Sequence, residues 1–506
     1  MHTKSKAFAA MALAAVMAVS LLSSCETDVG QPDDSTVQTT TSQTETITEE
    51  QSADETQTEL SEEETTTTKT ETTTTEASSE TEEISSEEET TVQSSETTAK
   101  SETTTTAAAT TTTAAATTTT VKAETTTTAA QTTVTEAAAE TKKPDAFPKP
   151  DGDPKGEIRD ITAMQLVSEM RIGWNLGNTL DATGRGLASE TAWGNPKTTK
   201  AMIDEVSKKG FNVLRIPTTW ESHLGSGPDY TIDAAWLSRV QEVVDYAAAN
   251  DMYIILNLHH EEWHYPTPEN YDAASKELKA VWKQIAEHFE DYDEHLIFEG
   301  MNEPRVKGTP QEWNGGTKEQ RAVLNKLNMD FVNTVRSTGG KNAKRCLMIP
   351  TYAANSGYSA VTELQLPEND DKIIVSVHSY SPYNFALNTK GTDKFSSKND
   401  SDVREIDKAF ETVYAYFVSE GVPVVMGEMG AVNKNNNEAR VDWADCYITT
   451  AKKYGIPCVL WDNGGFTGDG ENFGLLDRRT LKWKFPDVVD ALIKASKKDV
   501  KPIYEE

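Results

Sequence analysis

The chain reads as an α/β protein, a (β/α)8 barrel carried on a long acidic tether, and three observations predict this. Eight short apolar runs alternate with amphipathic helical patterns over the last two thirds of the 506 residues, which is the pattern of a parallel sheet with crossover helices. Polar and aromatic residues collect just past the carboxyl ends of those runs, where a barrel gathers its chemistry on one face. The first third holds too few apolar residues to build a core.

Taken in order, residues 1–25 carry Lys4 and Lys6, an apolar stretch over 7–22, and then Leu22-Ser23-Ser24-Cys25. A basic start followed by an apolar run too short for a comfortable membrane span predicts a secretory signal. The last four residues resemble the lipobox of bacterial lipoproteins. That resemblance implies lipidation of Cys25 and tethering to a cell surface; the alternative is ordinary cleavage and release. Residues 26–150 are mostly Thr, Ser, Glu and Ala. From 26 to 140 there is no aromatic residue, and 26 acidic residues oppose Lys69, Lys100 and Lys122, so −23 of the chain's net −33 lies here. Such a segment predicts a disordered, charge-extended linker, with threonine runs at 103–106 and 117–120 open to O-linked sugar. The acidity belongs to the tether, and no basic patch points to nucleic acid.

Residues 151–500 form the globular part. Strand-like runs fall at 172–176, 212–216, 253–258, 296–301, 346–349, 373–377, 424–427 and 458–461. Helical patterns lie between them at 234–250, 273–289, 318–336, 403–419 and 437–453. A doubly wound open sheet is the competing topology. It is disfavoured because Gly173-Trp174-Asn175-Leu176-Gly177-Asn178, after the first run, lacks the glycine spacing of a dinucleotide site. A barrel would bring Asn178, Arg215, His259, His260, Asn302, Glu303, His378, Tyr380, Glu428, Trp461 and Asn463 to one face, whereas an open sheet would unite only a few of them.

Two apolar runs lead into a glutamate at a strand-to-loop junction: Glu303, between Asn302 and Pro304, and Glu428, after Gly427. A carboxylate beside a buried strand is costly to desolvate, so such a pair implies a purpose. Paired acids of this kind are what cleavage of a glycosidic bond requires.

Six motifs carry a family resemblance: residues 173–181, Arg215-Ile216-Pro217, Asn257-Leu258-His259-His260, Gly300-Met301-Asn302-Glu303-Pro304, Val377-His378-Ser379-Tyr380 and Gly427-Glu428-Met429-Gly430. In order and spacing the globular part resembles glycoside hydrolase family 5, and its opening and His-Ser-Tyr-Ser-Pro-Tyr run resemble the bacterial endoglucanases and xyloglucanases of subfamily 4. Met429 departs from the phenylalanine more usual there. The resemblance implies a retaining endo-β-1,4-glucanase acting on cellulose, xyloglucan or mixed-linkage glucan, with no cofactor and no metal, as a monomer whose only membrane contact is the lipid anchor. Glu303 would be the acid/base, a role that asks for a raised pKa, and Glu428 the nucleophile. Arg215 would hold Glu428 ionised, Asn302 would bond the sugar 2-hydroxyl, and Tyr380 would donate to the nucleophile. His259 and His378 would line the subsite, with Asn178, His260, Trp461 and Asn463 meeting substrate. Action on mannan or xylan, and a catalytically silent polysaccharide-binding protein, are the alternatives. Retention of both glutamates, Asn302 and Arg215 argues against the silent one.

His260-Glu261-Glu262-Trp263-His264 matches the zinc-protease pattern H-E-x-x-H, which works only on a helix. Here it follows a strand and precedes Pro266 and Pro268, so a loop is expected. Cys346, Cys446 and Cys458 form no metal spacing and are expected as packed free thiols, with one disulfide open. Among the tryptophans, Trp236, Trp282, Trp443 and Trp483 sit on helical patterns and are assigned to packing. Trp193, Trp220, Trp263 and Trp313 lie in loops and are candidates for stacking on sugar.

Overall fold

The computed structural model describes residues 156–503. The expected signal segment, Cys25 and the linker fall outside the described residues. Strands β1 (Ile172–Leu176), β2 (Val213–Ile216), β3 (Tyr253–Asn257), β4 (Leu296–Glu299), β5 (Leu347–Asn355), β6 (Ile373–His378), β7 (Val424–Met429) and β8 (Cys458–Asp462) close into a barrel in sequence order. Every pairing is parallel, and β8 returns to β1. Helices α1 (Ala163–Glu169), α2 (Lys200–Lys209), α3 (Ala234–Ala248), α4 (Tyr271–His288), α5 (Lys318–Ser337), α6 (Tyr358–Thr362), α7 (Tyr383–Ala386), α8 (Asp400–Tyr416), α9 (Asn437–Lys453) and α10 (Pro486–Ser496) accompany it. Two short strands, β9 (Leu476–Asp477) and β10 (Lys482–Trp483), pair separately. Trp483 therefore sits on a strand rather than the expected helix.

Local chemistry explains the helix starts. Thr162 with Gln165 and Thr317 with Gln320 form reciprocal capping boxes on α1 and α5, and Asp233 accepts from two backbone amides at the start of α3. Pro486 opens α10, where its missing N–H costs nothing.

Side-chain parity then divides the barrel. Odd-numbered residues of β2, β3, β4, β7 and β8, such as Val213, Tyr253, Ile255, Ile297, Val425 and Val459, and the even-numbered Met348 of β5 and Ile374 of β6 share an apolar cluster with Ala163, Leu166 and Val167 of α1 and with Met170 just after it, which plugs the barrel beneath the sheet. Even-numbered neighbours such as Trp174, Leu214, Ile254 and Leu256 pack in the larger cluster with the surrounding helices. Two positions along from the apolar inner layer, on the same face, stand Asn175, Arg215, Asn257, Glu299 and Ser376, all fully buried. The interior changes from hydrocarbon to polar groups within one strand repeat, and the polar layer underlies the site.

Several strands run past their expected ends. β5 continues to Asn355 through a register irregularity after Pro350, with Ala353 and Ala354 at positive φ, and β7 continues to Met429 through another. Both irregularities lie at the carboxyl rim, where a bulge re-aims side chains. Cys346, Cys446 and Cys458 are free thiols. Among the described residues, no helix is long and apolar enough to cross a membrane.

Candidate active site

The polar layer is organised by Arg215 of β2, which is wholly buried. Its Nε donates to Glu299 Oε2 at 2.8 Å, Nη1 to Glu428 Oε1 at 2.8 Å and to Asn175 Oδ1 at 2.9 Å, and Nη2 to Asn302 Oδ1 at 2.7 Å. Burial works against its charge, and the carboxylates of Glu299 and Glu428 overcome that penalty, holding the guanidinium above its ordinary pKa. Glu299 also accepts from Ser376 Oγ at 2.6 Å and from Asn257 Nδ2 at 3.1 Å. A buried guanidinium is thus met by two carboxylates and two amide oxygens, which is the compensation that a desolvated charge demands.

Glu428 lies on β7 beside His378 of β6 in the strand register. Its second oxygen accepts from the Tyr380 hydroxyl at 2.8 Å. Burial, then the Glu428 charge and that hydrogen bond, raise the phenol pKa well above its usual value, so the hydroxyl remains a donor. Gly427 is required by proximity: a Cβ there would stand 3.0 Å from His378 Nε2 and 3.2 Å from Ser376 Oγ. The loop bearing Tyr380 is pinned by α9, where Trp443 Nε1 donates to the Ser381 carbonyl and the Tyr447 hydroxyl to the Ser379 carbonyl.

Glu303 follows β4. Its Oε1 is 2.8 Å from His378 Nδ1, and its Oε2 is 3.5 Å from Arg305 Nη1. One oxygen of Glu303, one of Glu428 and a ring nitrogen of His378 lie within 4.8 Å of one another. Glu303 departs from the expected raised pKa. Burial pushes it up, but the hydrogen bond and charge of His378, with the charges of Arg305 and Arg215, outweigh burial and hold the carboxyl below its ordinary range. The hydrogen bond itself survives protonation, because a neutral Glu303 can donate to Nδ1.

A cleft above this layer is lined by His259, His260, Asn302, Glu303, His378, Tyr380, Glu428 and Trp461. With its oxygen occupied by Arg215, Asn302 has its amide nitrogen left for the cleft. The His259 ring is 5.9 Å from that of Trp461 and nearly parallel to it. Burial, then the charges of His260 and Arg215, lower the His259 pKa well below its usual value and keep the ring neutral. Asn178 and Asn463 are not among the lining residues. Asn463 spends its amide on its own loop, bonding the Glu471 carbonyl and the amides of Gly465 and Phe473, and Asn178 takes a positive-φ turn whose amide bonds Asp181.

Of the loop tryptophans, Trp313 lines the cleft with Arg305 stacked 4.0 Å from its ring centroid. Trp193 lies against His260 at 5.6 Å, outside the lining set. Trp220 is fully buried with Nε1 on the Asn257 carbonyl, so it is core and not a sugar platform. Trp263 packs on the core and donates to Glu261. The H-E-x-x-H segment is a loop, so its histidines share no helical face. Asp181, His259 and His260 also bring ligand-capable atoms within 4.8 Å, but the Asp181 oxygens already accept from the amides of Asn178 and Thr179.

Sequence reasoning passed over Glu299, Asn257, Ser376, Arg305 and Glu471, the last of which also lines the cleft. For the first three a signal existed: each is a polar residue at the inward parity of an otherwise apolar strand.

Comparison with known proteins gives the family. The family model for cellulase (glycosyl hydrolase family 5) matches residues 180–467. Endoglucanase B of Neocallimastix patriciarum is 51% identical over 68% of this chain and 74% of its own length. A broad-specificity endoglucanase of subfamily 4 from Ruminococcus champanellensis, solved with bound cellotriose, is 52% identical, covering 67% of this chain and 100% of that one at a TM-score of 0.65. A xyloglucan-specific endo-β-1,4-glucanase of family 5 from a metagenomic library, in complex with cellotriose, is 47% identical over 66% of this chain and 98% of its own, at 0.64. The chain belongs to glycosyl hydrolase family 5 and is a glycoside hydrolase of the cellulase type.

Proposed function

We propose that the chain is a retaining endo-β-1,4-glucanase that cleaves plant β-glucans by double displacement, with cellulose, xyloglucan and mixed-linkage glucan as its substrate class. The observation that carries this is the closeness of the two acids: oxygens of Glu303 and Glu428 within 4.8 Å of each other. Inverting hydrolases hold their carboxyl groups roughly 6.5–9.5 Å apart to admit a water, and retaining ones about 5–5.5 Å apart.

In the first step a Glu428 oxygen bonds the anomeric carbon as the glycosidic C–O bond breaks. The leaving oxygen keeps the electron pair and takes a proton from Glu303. In the second, Glu303 removes a proton from water as it attacks the same carbon, and Glu428 departs as carboxylate. Arg215 and Tyr380 hold the nucleophile in aim from opposite sides of its carboxylate. The Asn302 amide faces the sugar 2-hydroxyl, a contact that strengthens in the transition state. Trp461 and Trp313 offer flat faces for pyranose rings. Cellotriose bound to the Ruminococcus champanellensis and metagenomic enzymes supports a β-1,4-glucan occupant.

Glu303→Ala and Glu428→Ala should each remove hydrolysis of carboxymethyl cellulose and xyloglucan while leaving thermal unfolding nearly unchanged. Wild-type turnover in either variant ends the assignment. Nuclear magnetic resonance should show the β-anomer released first, and a panel including mannan and xylan ranks the substrates. We further propose that the enzyme works outside the cell on a lipid anchor at Cys25. Radiolabelled palmitate should enter the mature chain and be lost in Cys25→Ala; an unlabelled wild-type chain excludes the anchor.

A further inference from the structure

Glu299 touches neither the cleft nor any group that meets substrate, yet it is fully buried in the polar layer and shares one guanidinium with Glu428. We propose that Glu299 is a positioning residue that sets the strength of the nucleophile by dividing the pull of Arg215. This rests on the double-displacement reading above.

One cation is divided between two carboxylates. Arg215 contributes one positive charge, and two carboxylates, each 2.8 Å away, draw on it. With a single carboxylate the pair would be neutral, and the Glu428 lone pairs would be held by an undivided cation. With both, one negative charge is left over in a buried site, and Glu428, the member at the cleft, is the one that can express it in a new bond. The other groups around Glu299 do not cancel this. Asn257 of β3 and Ser376 of β6 are neutral donors, His259 is reached only through Asn257 Nδ2, and His378 bonds Glu303 rather than Glu299. A buried strand that already houses Ile297 on its inner face has no packing reason to take a carboxylate two residues later.

The two chemical steps respond oppositely. Bond formation from Glu428 oxygen to the anomeric carbon is favoured by a loosely held carboxylate. Its departure in the second step is favoured by a tightly held one. Removing the Glu299 charge should therefore slow the first step and not the second, whereas a merely loosened site slows both.

The test uses a 2-deoxy-2-fluoro-β-cellobioside with a dinitrophenolate leaving group, on the full chain. The Glu428 ester forms as the C–O bond to dinitrophenolate breaks, the phenolate leaving with the pair and needing no proton. Wild-type protein should gain the mass of one fluorocellobiosyl group. Glu299→Gln, which keeps the shape and, with its oxygen toward Arg215 and Asn257 and its Nε2 donating to Ser376 Oγ, leaves each partner a bond, should label about tenfold more slowly or worse, while hydrolysis of the formed ester is unchanged or faster. Ser376→Ala removes a donor from Glu299, leaves more of its charge for Arg215, and should shift both rates the opposite way. It also decides the matter if Glu299→Gln does not fold. Equal labelling of variant and wild type, equal slowing of both steps, or an effect of Ser376→Ala that is absent or in the same direction as that of Glu299→Gln overturns the proposal. A wild-type chain that takes up no label at all overturns the double-displacement reading instead, and this inference with it.

Discussion

In the proposed mechanism, the hydrogen bond between His378 and Glu303 governs the pH range of the general acid. It is the largest of the influences holding the Glu303 carboxyl down against burial. A general acid works only while protonated, so a depressed pKa brings the alkaline fall of kcat/KM to lower pH. His378→Ala removes both the bond and any charge on the ring, leaves burial dominant, and should move that alkaline limb upward while cutting kcat/KM roughly 10²-fold. A limb that stays in place or moves down would show that His378 does not tune the acid. At this scale the sequence was most legible where punctuation marks the backbone: Asn302 and Pro304 around Glu303, and Gly427 before Glu428, which lets His378 approach. It was least legible where side-chain direction decides. Trp461 ends a strand-like run and Asn463 lies two residues further on, yet the second is folded into its own loop and the first lines the cleft. Trp220 and Trp313 are both loop tryptophans, one buried and one exposed, and nothing in residue type separates them.

Elements are held in place by a few buried polar groups, and Arg345 is the clearest. Fully buried just before β5, it donates to Asn342 Oδ1 and to the carbonyls of Phe289, Glu290, Tyr292, Asp293 and Leu296. Most of these belong to the turn leaving α4, whose last carbonyls have no helical partner, so one side chain ties the α4 exit to the starts of β4 and β5. Burial lowers its pKa to about 10, which still leaves it charged at neutral pH. Arg345→Met takes the donor from the carbonyls of Glu290, Tyr292 and Leu296, while those of Phe289 and Asp293 keep backbone amides, and should cost about 3 kcal/mol of unfolding free energy. Because no cleft residue touches it, kcat/KM of the folded protein should stay within about twofold of wild type at low temperature. Urea unfolding and assays below the transition test the two halves separately. Strand and helix positions were legible from periodicity, and α9 falls where its pattern ends at both sides. The rim bulges of β5 and β7 were not, since Pro350 reads as a strand end and the irregular pairing beyond it depends on the neighbouring strand rather than on local preference.

At the scale of the whole barrel, closure brings strand ends separated by hundreds of residues to one rim, and the loops there decide how a polymer enters. Trp313 from the β4 loop and Tyr383 at the start of α7, after β6, both line the cleft, and these residues remain 51% and 58% exposed. A loop crossing over to make a tunnel would have to cover one of these faces; among the described residues none does. An uncovered cleft admits a chain at any point along its length, whereas a tunnel must be threaded from an end. Early cuts then fall at internal bonds, each roughly halving a polymer while creating a single reducing end. The specific viscosity of carboxymethyl cellulose should therefore collapse while only a small share of linkages is hydrolysed, and Trp313→Ala should raise KM for the polymer with little change in this viscosity-to-reducing-end relation, because the ring contributes binding and not the openness of the cleft. Viscosity falling only in proportion to reducing ends would mean that the rim loops close over bound polymer and that cleavage proceeds from chain ends.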